Sequence, residues 1–267
     1  MPSEFDLISR YFVRPTPQAA LGPGDDCALL MPSPGMELAI TTDMLVAGVH
    51  FFADTNPAQL GWKALAVNLS DLAAMGATPR WVLLAGSLPS VDDAWLAAFS
   101  DGLFACAQRY GVDLVGGDTT RGPLNLCLTA LGEVPVGRAL RRDGAKVGDD
   151  LWVSGKIGLA SLGLAHLQGR TQLPDALRAT CVNALQKPLP RVELGQALRA
   201  QQLAHAAIDV SDGLLADLGH IAERSQLDAE IWQAQLPALP AGVDPHLARQ
   251  CQLAGGDDYE LIFSAAP

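Results

Sequence analysis

The chain has 267 residues, 49% of them hydrophobic, enough to bury a substantial core in one large or two medium domains. Asp and Glu (29) outnumber Lys and Arg (18), giving a formal net charge of -11. This excludes nucleic acid as the expected partner, because binding a polyanion depends on Lys and Arg displacing condensed counterions. Cys27, Cys106, Cys127, Cys181 and Cys251 are widely spaced with no Cys-x-x-Cys pair, and there is neither a basic-then-apolar leader nor a long uncharged apolar run. A cytoplasmic protein with reduced thiols and no membrane segment is expected.

Apolar runs bounded by Gly or Pro at 37–42, 81–88 and 124–134 predict strands of a covered sheet. Between them, 57–75 predicts a helix with Leu60, Ala64, Val67 and Leu72 on one face and Gly76 as its stop. A second helix is predicted over 92–110, closed by Gly111. The polar segment that follows, carrying Arg138, Arg141, Arg142 and Lys146 among glycines, reads as a connection between domains. A second block then restarts: strand 151–154, helices 159–167 and 191–201, strand 206–209, and a helix 211–225 with Ser211 as N-cap and Asp212 in its first turn. Strands and helices mixed in two consecutive blocks predict an α+β fold with α/β-type mixed sheets. The expected domains are 1–137 and 151–267, joined over 138–150.

Five acidic clusters stand where apolar, strand-like runs meet turns or helices: Gly24-Asp25-Asp26, Thr41-Thr42-Asp43, Asn68-Leu69-Ser70-Asp71, Gly116-Gly117-Asp118-Thr119-Thr120 and Asp209-Val210-Ser211-Asp212. Carboxylate and hydroxyl oxygens are what Mg²⁺ takes in sites that handle nucleotide phosphates, so the pattern points to phosphoryl transfer. Each cluster also has a plainer reading. Asn68 and Asp71 share a helix face, but Asp71 fits a solvent-facing position as well. The glycines before Asp118 suit a backbone approach to phosphate or any tight turn, and capping accounts for Ser211 and Asp212 as well as metal binding does. Asp209 is different, since it ends an apolar run where an unpaired carboxylate is costly to bury. Clusters from both blocks would have to meet in a cleft between domains to form a single site. No Walker loop, Gly-x-Gly-x-x-Gly or protein-kinase motif set is present.

In this order the clusters resemble the thiamine-monophosphate kinase family, within the aminoimidazole ribonucleotide synthetase (PurM-like) superfamily. The resemblance runs from Glu4-Phe5 to Phe263. It includes 24–30, 42–51, the long 63–79 segment, 116–122, 208–215 and Gly255-Gly256-Asp257-Asp258-Tyr259-Glu260-Leu261. It implies ATP-dependent phosphorylation of thiamine monophosphate to thiamine diphosphate by direct in-line transfer, with no catalytic side chain forming a phosphoenzyme. By the family pattern, Asp26, Thr41, Thr42, Asp43, Asp71, Asp118, Asp209 and Asp212 would hold several Mg²⁺ ions. Gly117, Asp118, Arg142 and Ser211 would contact ATP, and His50 and Asp257 the thiamine substrate. The family also implies a two-domain fold, a homodimer formed through the N-terminal sheet, and a C-terminal sheet covered by helices. Without a dimer, the apolar strands at 81–88 and 124–134 are expected to be exposed.

Two departures accompany the resemblance. Asp257 stands where the family pattern has Glu, one methylene shorter, and the sequence ends at Pro267, where family members continue with further strands. The alternatives are another ATP-dependent synthetase of the superfamily and a non-catalytic Mg-nucleotide-binding remnant.

Overall fold

Alternation along Met36–Val46, with Ala39, Thr41, Asp43 and Leu45 turned inward and Leu38, Ile40, Thr42 and Met44 outward, makes strand β1 (Met36–Val46). The computed structural model describes residues 4–267. They divide into two units, one running to Gly137 except for Ala73–Gly76, the other comprising Ala73–Gly76 and Arg138–Pro267.

The first unit opens with α1 (Glu4–Tyr11) and continues through β1, α2 (Pro57–Ala74), β2 (Thr78–Leu88), α3 (Asp93–Tyr110), β3 (Asp113–Arg121) and β4 (Asn125–Pro135). Its sheet has the order β1-β4-β2-β3, antiparallel except for the β2/β3 pair. That pair is parallel because α3 carries the chain back across the sheet, as a parallel connection requires. Asp92 caps α3 by accepting the N–H groups of Ala94 and Trp95, and Gly111 ends it with φ 66°.

Helix α2 is not the one-faced helix its spacing predicts: every residue from 61 to 70 is buried. Gly61 and Gly102 explain how α3 covers it. A Cβ on Gly61 would run into the Phe99 carbonyl, and one on Gly102 into the Ala58 carbonyl, so the helix backbones approach at both glycines. Strands β2 and β4 are likewise buried within the single chain, through Trp81, Val82, Leu84, Leu126, Leu128 and Ala130. The exposed apolar side chains lie instead on β1, at the end of the sheet, where Ile40 is 62% and Met44 52% exposed.

The second unit contains β5 (Asp150–Val153), α4 (Leu159–Leu167), α5 (Asp175–Gln186), α6 (Val192–Ala200), β6 (Ala206–Asp209), α7 (Leu214–Ser225), α8 (Pro245–Ala254) and β7 (Leu261–Ala265). Its sheet has the order β5-β7-β6, all antiparallel. Ile208, Val210 and Ile262 from the sheet region pack with Leu214, Leu218 and Ile221 of α7. A second cluster joins Leu162, Leu173, Cys181 and Cys251. Helix α7 starts three residues later than the capping pattern predicts, at Leu214, with Gly213 as its cap residue. Among the described residues no helix is long and apolar enough to cross a membrane.

Candidate functional site

In the first unit, the pleat of β1 sends Thr41 and Asp43 to the same face. There the Thr41 hydroxyl donates to Asp71 Oδ2 of α2 at 2.5 Å. Burial, joined by the negative charge of Asp71, pushes the Asp43 carboxyl up to about 6, and both causes act in the same direction. Two carboxylates held this close in a partly dehydrated place favour a cation. The donors are all hard oxygens, which suits Mg²⁺ and not a soft metal.

Among the described residues no three His, Cys, Asp or Glu side chains gather closely enough to hold a metal by themselves. That agrees with the habit of Mg²⁺, which is usually bound by one or two carboxylates together with substrate phosphates and water. The donor set therefore fits the ion.

The other residues of this unit are placed differently. The period of the strand turns the Thr42 hydroxyl to the opposite face of β1, where it donates to the Leu128 carbonyl at 2.9 Å and meets the Thr129 hydroxyl at 2.8 Å. The structure does not bring it together with Thr41, Asp43 and Asp71. Asn68 is fully buried, its amide donating to the Ala64 carbonyl at 3.2 Å. Asp26 is exposed in the turn after Gly24, its N–H bonded to Asp25 Oδ1 at 2.8 Å. His50 is exposed beyond β1 and accepts the Val46 N–H on Nδ1 at 3.1 Å.

Gly116-Gly117-Asp118 is not a turn. It continues β3, with Asp118 opposite Ala85 of β2 and exposed. Gly117 has φ 153°, and a Cβ there would strike the Leu84 carbonyl, so the glycine permits the close approach of β2.

In the second unit, Asp209 ends β6 and is only 3% exposed. Ser211 and Asp212 are exposed, and neither side chain caps α7. The carboxylate of Asp217, one turn into the helix, does so by accepting the N–H groups of Asp212 at 3.1 Å and Gly213 at 2.9 Å. This removes the capping reading of Ser211 and Asp212. Beside this turn runs the 257–260 segment: Asp257 N–H donates to the Ser211 carbonyl and Tyr259 N–H to the Val210 carbonyl, both at 2.8 Å.

Asp257 and Tyr259 adopt φ 68° and 52°, left-handed values that non-glycine residues hold only where surrounding contacts enforce them. The enforcing contacts come from their neighbours. Asp258 accepts the N–H groups of Gly158 and Ala160 at the start of α4. Glu260 pairs with Arg191 through Nε at 2.6 Å and through Nη2, and accepts the Ser154 hydroxyl. Arg142 presents an exposed guanidinium, whereas adjacent Arg141 is taken by Asp143 at 2.9 and 2.6 Å.

Asp217 and Arg191 are missing from the sequence reading, which names Asp258 and Glu260 only as members of the 255–261 motif. A signal existed for Asp217: it follows Leu214 by three positions and precedes Ile221 by four, so it falls on the apolar face of its own helix.

Residues 24–134 match the family model of AIR synthase related protein, N-terminal domain, which with two sheets in a mixed α/β architecture defines the class: a PurM-like fold. The chain is 53% identical to the thiamine-monophosphate kinase of Escherichia coli, over 98% of this chain and 82% of that protein. It is 44% identical to that of Haemophilus influenzae over 99% of this chain and 82% of that protein. The solved thiamine-monophosphate kinase of Stenotrophomonas maltophilia superimposes with a TM-score of 0.88 at 50% identity, covering 97% of this chain and 84% of that one. The structure of AaThiL complexed with AMPPCP and TMP gives 0.80 at 31% identity, covering 88% and 77%. This chain belongs to the thiamine-monophosphate kinase family.

Proposed function

We propose that this chain transfers the terminal phosphoryl group of ATP to the phosphate of thiamine monophosphate, forming thiamine diphosphate. The family relationship and the AaThiL complex with AMPPCP and TMP support the reaction. In the structure itself, the observation that carries it is the Thr41, Asp43 and Asp71 group, an oxygen-only set whose negative charge calls for a cation.

Asp26, Thr41, Asp43, Asp71 and Asp118 of the first unit, with Asp209 and Asp212 of the second, are the proposed Mg²⁺ ligands. Thr42 was expected among them, but its hydroxyl is engaged on β4 and we leave it out. Bound Mg²⁺ would neutralise the phosphates and polarise the transferring group.

Asp118, Gly117, Arg142 and Ser211 are assigned to ATP, the guanidinium of Arg142 offering a planar and permanently charged fork. His50 and Asp257 are assigned to thiamine monophosphate. With Nδ1 accepting from Val46, the neutral His50 ring carries its proton on Nε2, which can donate outward. The acceptor phosphate is largely ionised near neutral pH, so no side chain has to act as a strong base. Residues 1–137 thus supply the main Mg-nucleotide groups and, through the outer face of β1, the surface of a homodimer. Residues 151–267 supply the Asp209 and Asp257 segments, beyond the connection at 138–150, in a cytoplasmic enzyme.

The test is chromatographic detection of thiamine diphosphate after incubating this chain with thiamine monophosphate, ATP and Mg²⁺. Product that requires all three supports the reading. Absence of product from folded protein at saturating substrates rejects it.

A further inference from the structure

Asp217 is 2% exposed and lies on the buried face of α7, yet it is a carboxylate among Leu214, Leu218 and Ile221. Its Oδ2 accepts the N–H groups of Asp212 and Gly213, and the Ser211 backbone N–H is also directed at it. Consecutive backbone N–H groups at a helix start form an anion site, and here the anion is part of the protein. The turn cannot be held by a conventional cap. Gly213 has φ 135°, and a Cβ there would come within 3.0 to 3.1 Å of the backbone of Ala254 and Gly255.

Because Asp217 satisfies these N–H groups, the hydroxyl of Ser211 and the carboxylate of Asp212 are left exposed. On the other side of the turn, the pairing of 257–260 fixes Val210 and the Ser211 carbonyl independently of Asp217. The carboxylate therefore controls the direction of two side chains without being the only support of the strand before them.

We propose that Asp217 is a positioning residue for the Mg-nucleotide: it touches neither metal nor substrate, and acts by fixing the 211–213 backbone from which Ser211 and Asp212 project. This rests on the function proposed above.

The experiment is calorimetric titration of MgATP, with no thiamine compound present, into the wild-type chain, Asp217→Asn and Asp217→Ala. It is combined with KM for thiamine monophosphate and with amide hydrogen exchange at Asp212 and Gly213. Asn keeps an acceptor oxygen without the charge, and Ala keeps neither. Affinity should fall in the order wild type, Asn, Ala, with Ala weaker by about 10-fold or more, the range for residues that orient ligands to a metal. Exchange at both amides should quicken, while KM for thiamine monophosphate in Asp217→Asn stays within about 2-fold, well below that range.

Equal MgATP affinity in folded variants and wild type overturns the proposal. So does a parallel rise in both constants in Asp217→Asn, which signals general loss of structure. If Asp217→Ala does not fold, Asp217→Asn decides by the same two readings. A wild-type chain that binds MgATP but forms no thiamine diphosphate overturns the proposed reaction and leaves the positioning role in place.

Discussion

Carboxylates that neighbour one another in sequence do opposite work in the second unit. Asp212 faces outward and half-buried Asp257 accepts the Tyr259 hydroxyl at 3.1 Å, while Asp258, Glu260 and Asp217 turn inward onto backbone N–H groups or an arginine. For Asp258 the cost of burial outweighs the favourable N–H groups of Gly158 and Ala160 and pushes its carboxyl up to about 7, from an ordinary 3.8. A carboxyl whose folded pKa lies above its unfolded value helps stability most when protonated in both states. That help is present below about pH 4 and is lost as pH rises to about 7. Asp258→Asn removes this dependence. Urea unfolding should show the variant gaining on wild type between pH 4 and 7, with no further change above; a difference independent of pH would contradict the assignment.

Substitutions at two of the proposed Mg²⁺ ligands should separate activity from stability. Asp118→Asn removes a charge from an exposed strand position, and its activity should drop by about 100-fold or more, several kcal/mol of lost phosphate neutralisation. Its melting temperature should stay close to that of wild type, since an exposed carboxylate contributes little to folding. Asp209→Asn should lose activity to the same degree at nearly unchanged volume. Turnover assays with thermal melts check both.

Among the elements, helix glycines make the sharpest contrast. In an open helix, Gly to Ala stabilises by up to about 1 kcal/mol. Gly219 of α7 has open space around its missing Cβ, so Gly219→Ala should gain on that scale. Gly102 of α3 lies against the Ala58 carbonyl, so the same change must push α3 away from α2; overpacking of this kind costs about 1–3 kcal/mol and outweighs the propensity gain. Opposite shifts in urea midpoint are expected for the two variants.

The elements also show how far local pattern reaches. The Gly111 stop of α3 and the whole of α4 and β6 could be read from residue spacing because neighbouring residues determine them, whereas β1, predicted over 37–42 as a covered strand, runs from Met36 to Val46 with one face exposed. The Gly116-Gly117 stretch reads as a turn and is a strand, since its glycine answers to Leu84 of another strand. Helix α7 reads as starting at Ser211 and starts at Leu214, because its cap comes from one turn inside the helix.

For the molecule as a whole, the apolar strand surface left exposed lies on β1 and not on β2 or β4, and the homodimer proposed above would form there. Those two strands sit inside the sheet and are covered within one chain, whereas β1 stands at its end with Leu38, Ile40 and Met44 exposed. Light scattering at micromolar concentration should give twice the monomer mass. Ile40→Lys, which puts a charge at the centre of that face, should shift the protein toward monomer without unfolding it. A monomeric wild type would rule the interface out.

By itself the sequence determined the mixed α/β class, the family, and the acid-rich and oxygen-only chemistry. The class and the chemistry follow from residue type and short-range period, the family from the ordered motifs the chain shares with its relatives. Only the tertiary structure decided which of those oxygens remain available. Thr41, Asp43 and Asp71 come together because β1 and α2 pack, Thr42 turns onto β4, and Ser211 and Asp212 are released because Asp217 takes their backbone N–H groups. The physical reason is that a carboxylate or hydroxyl is committed by whichever donor lies nearest in space, and that donor is often far away along the chain.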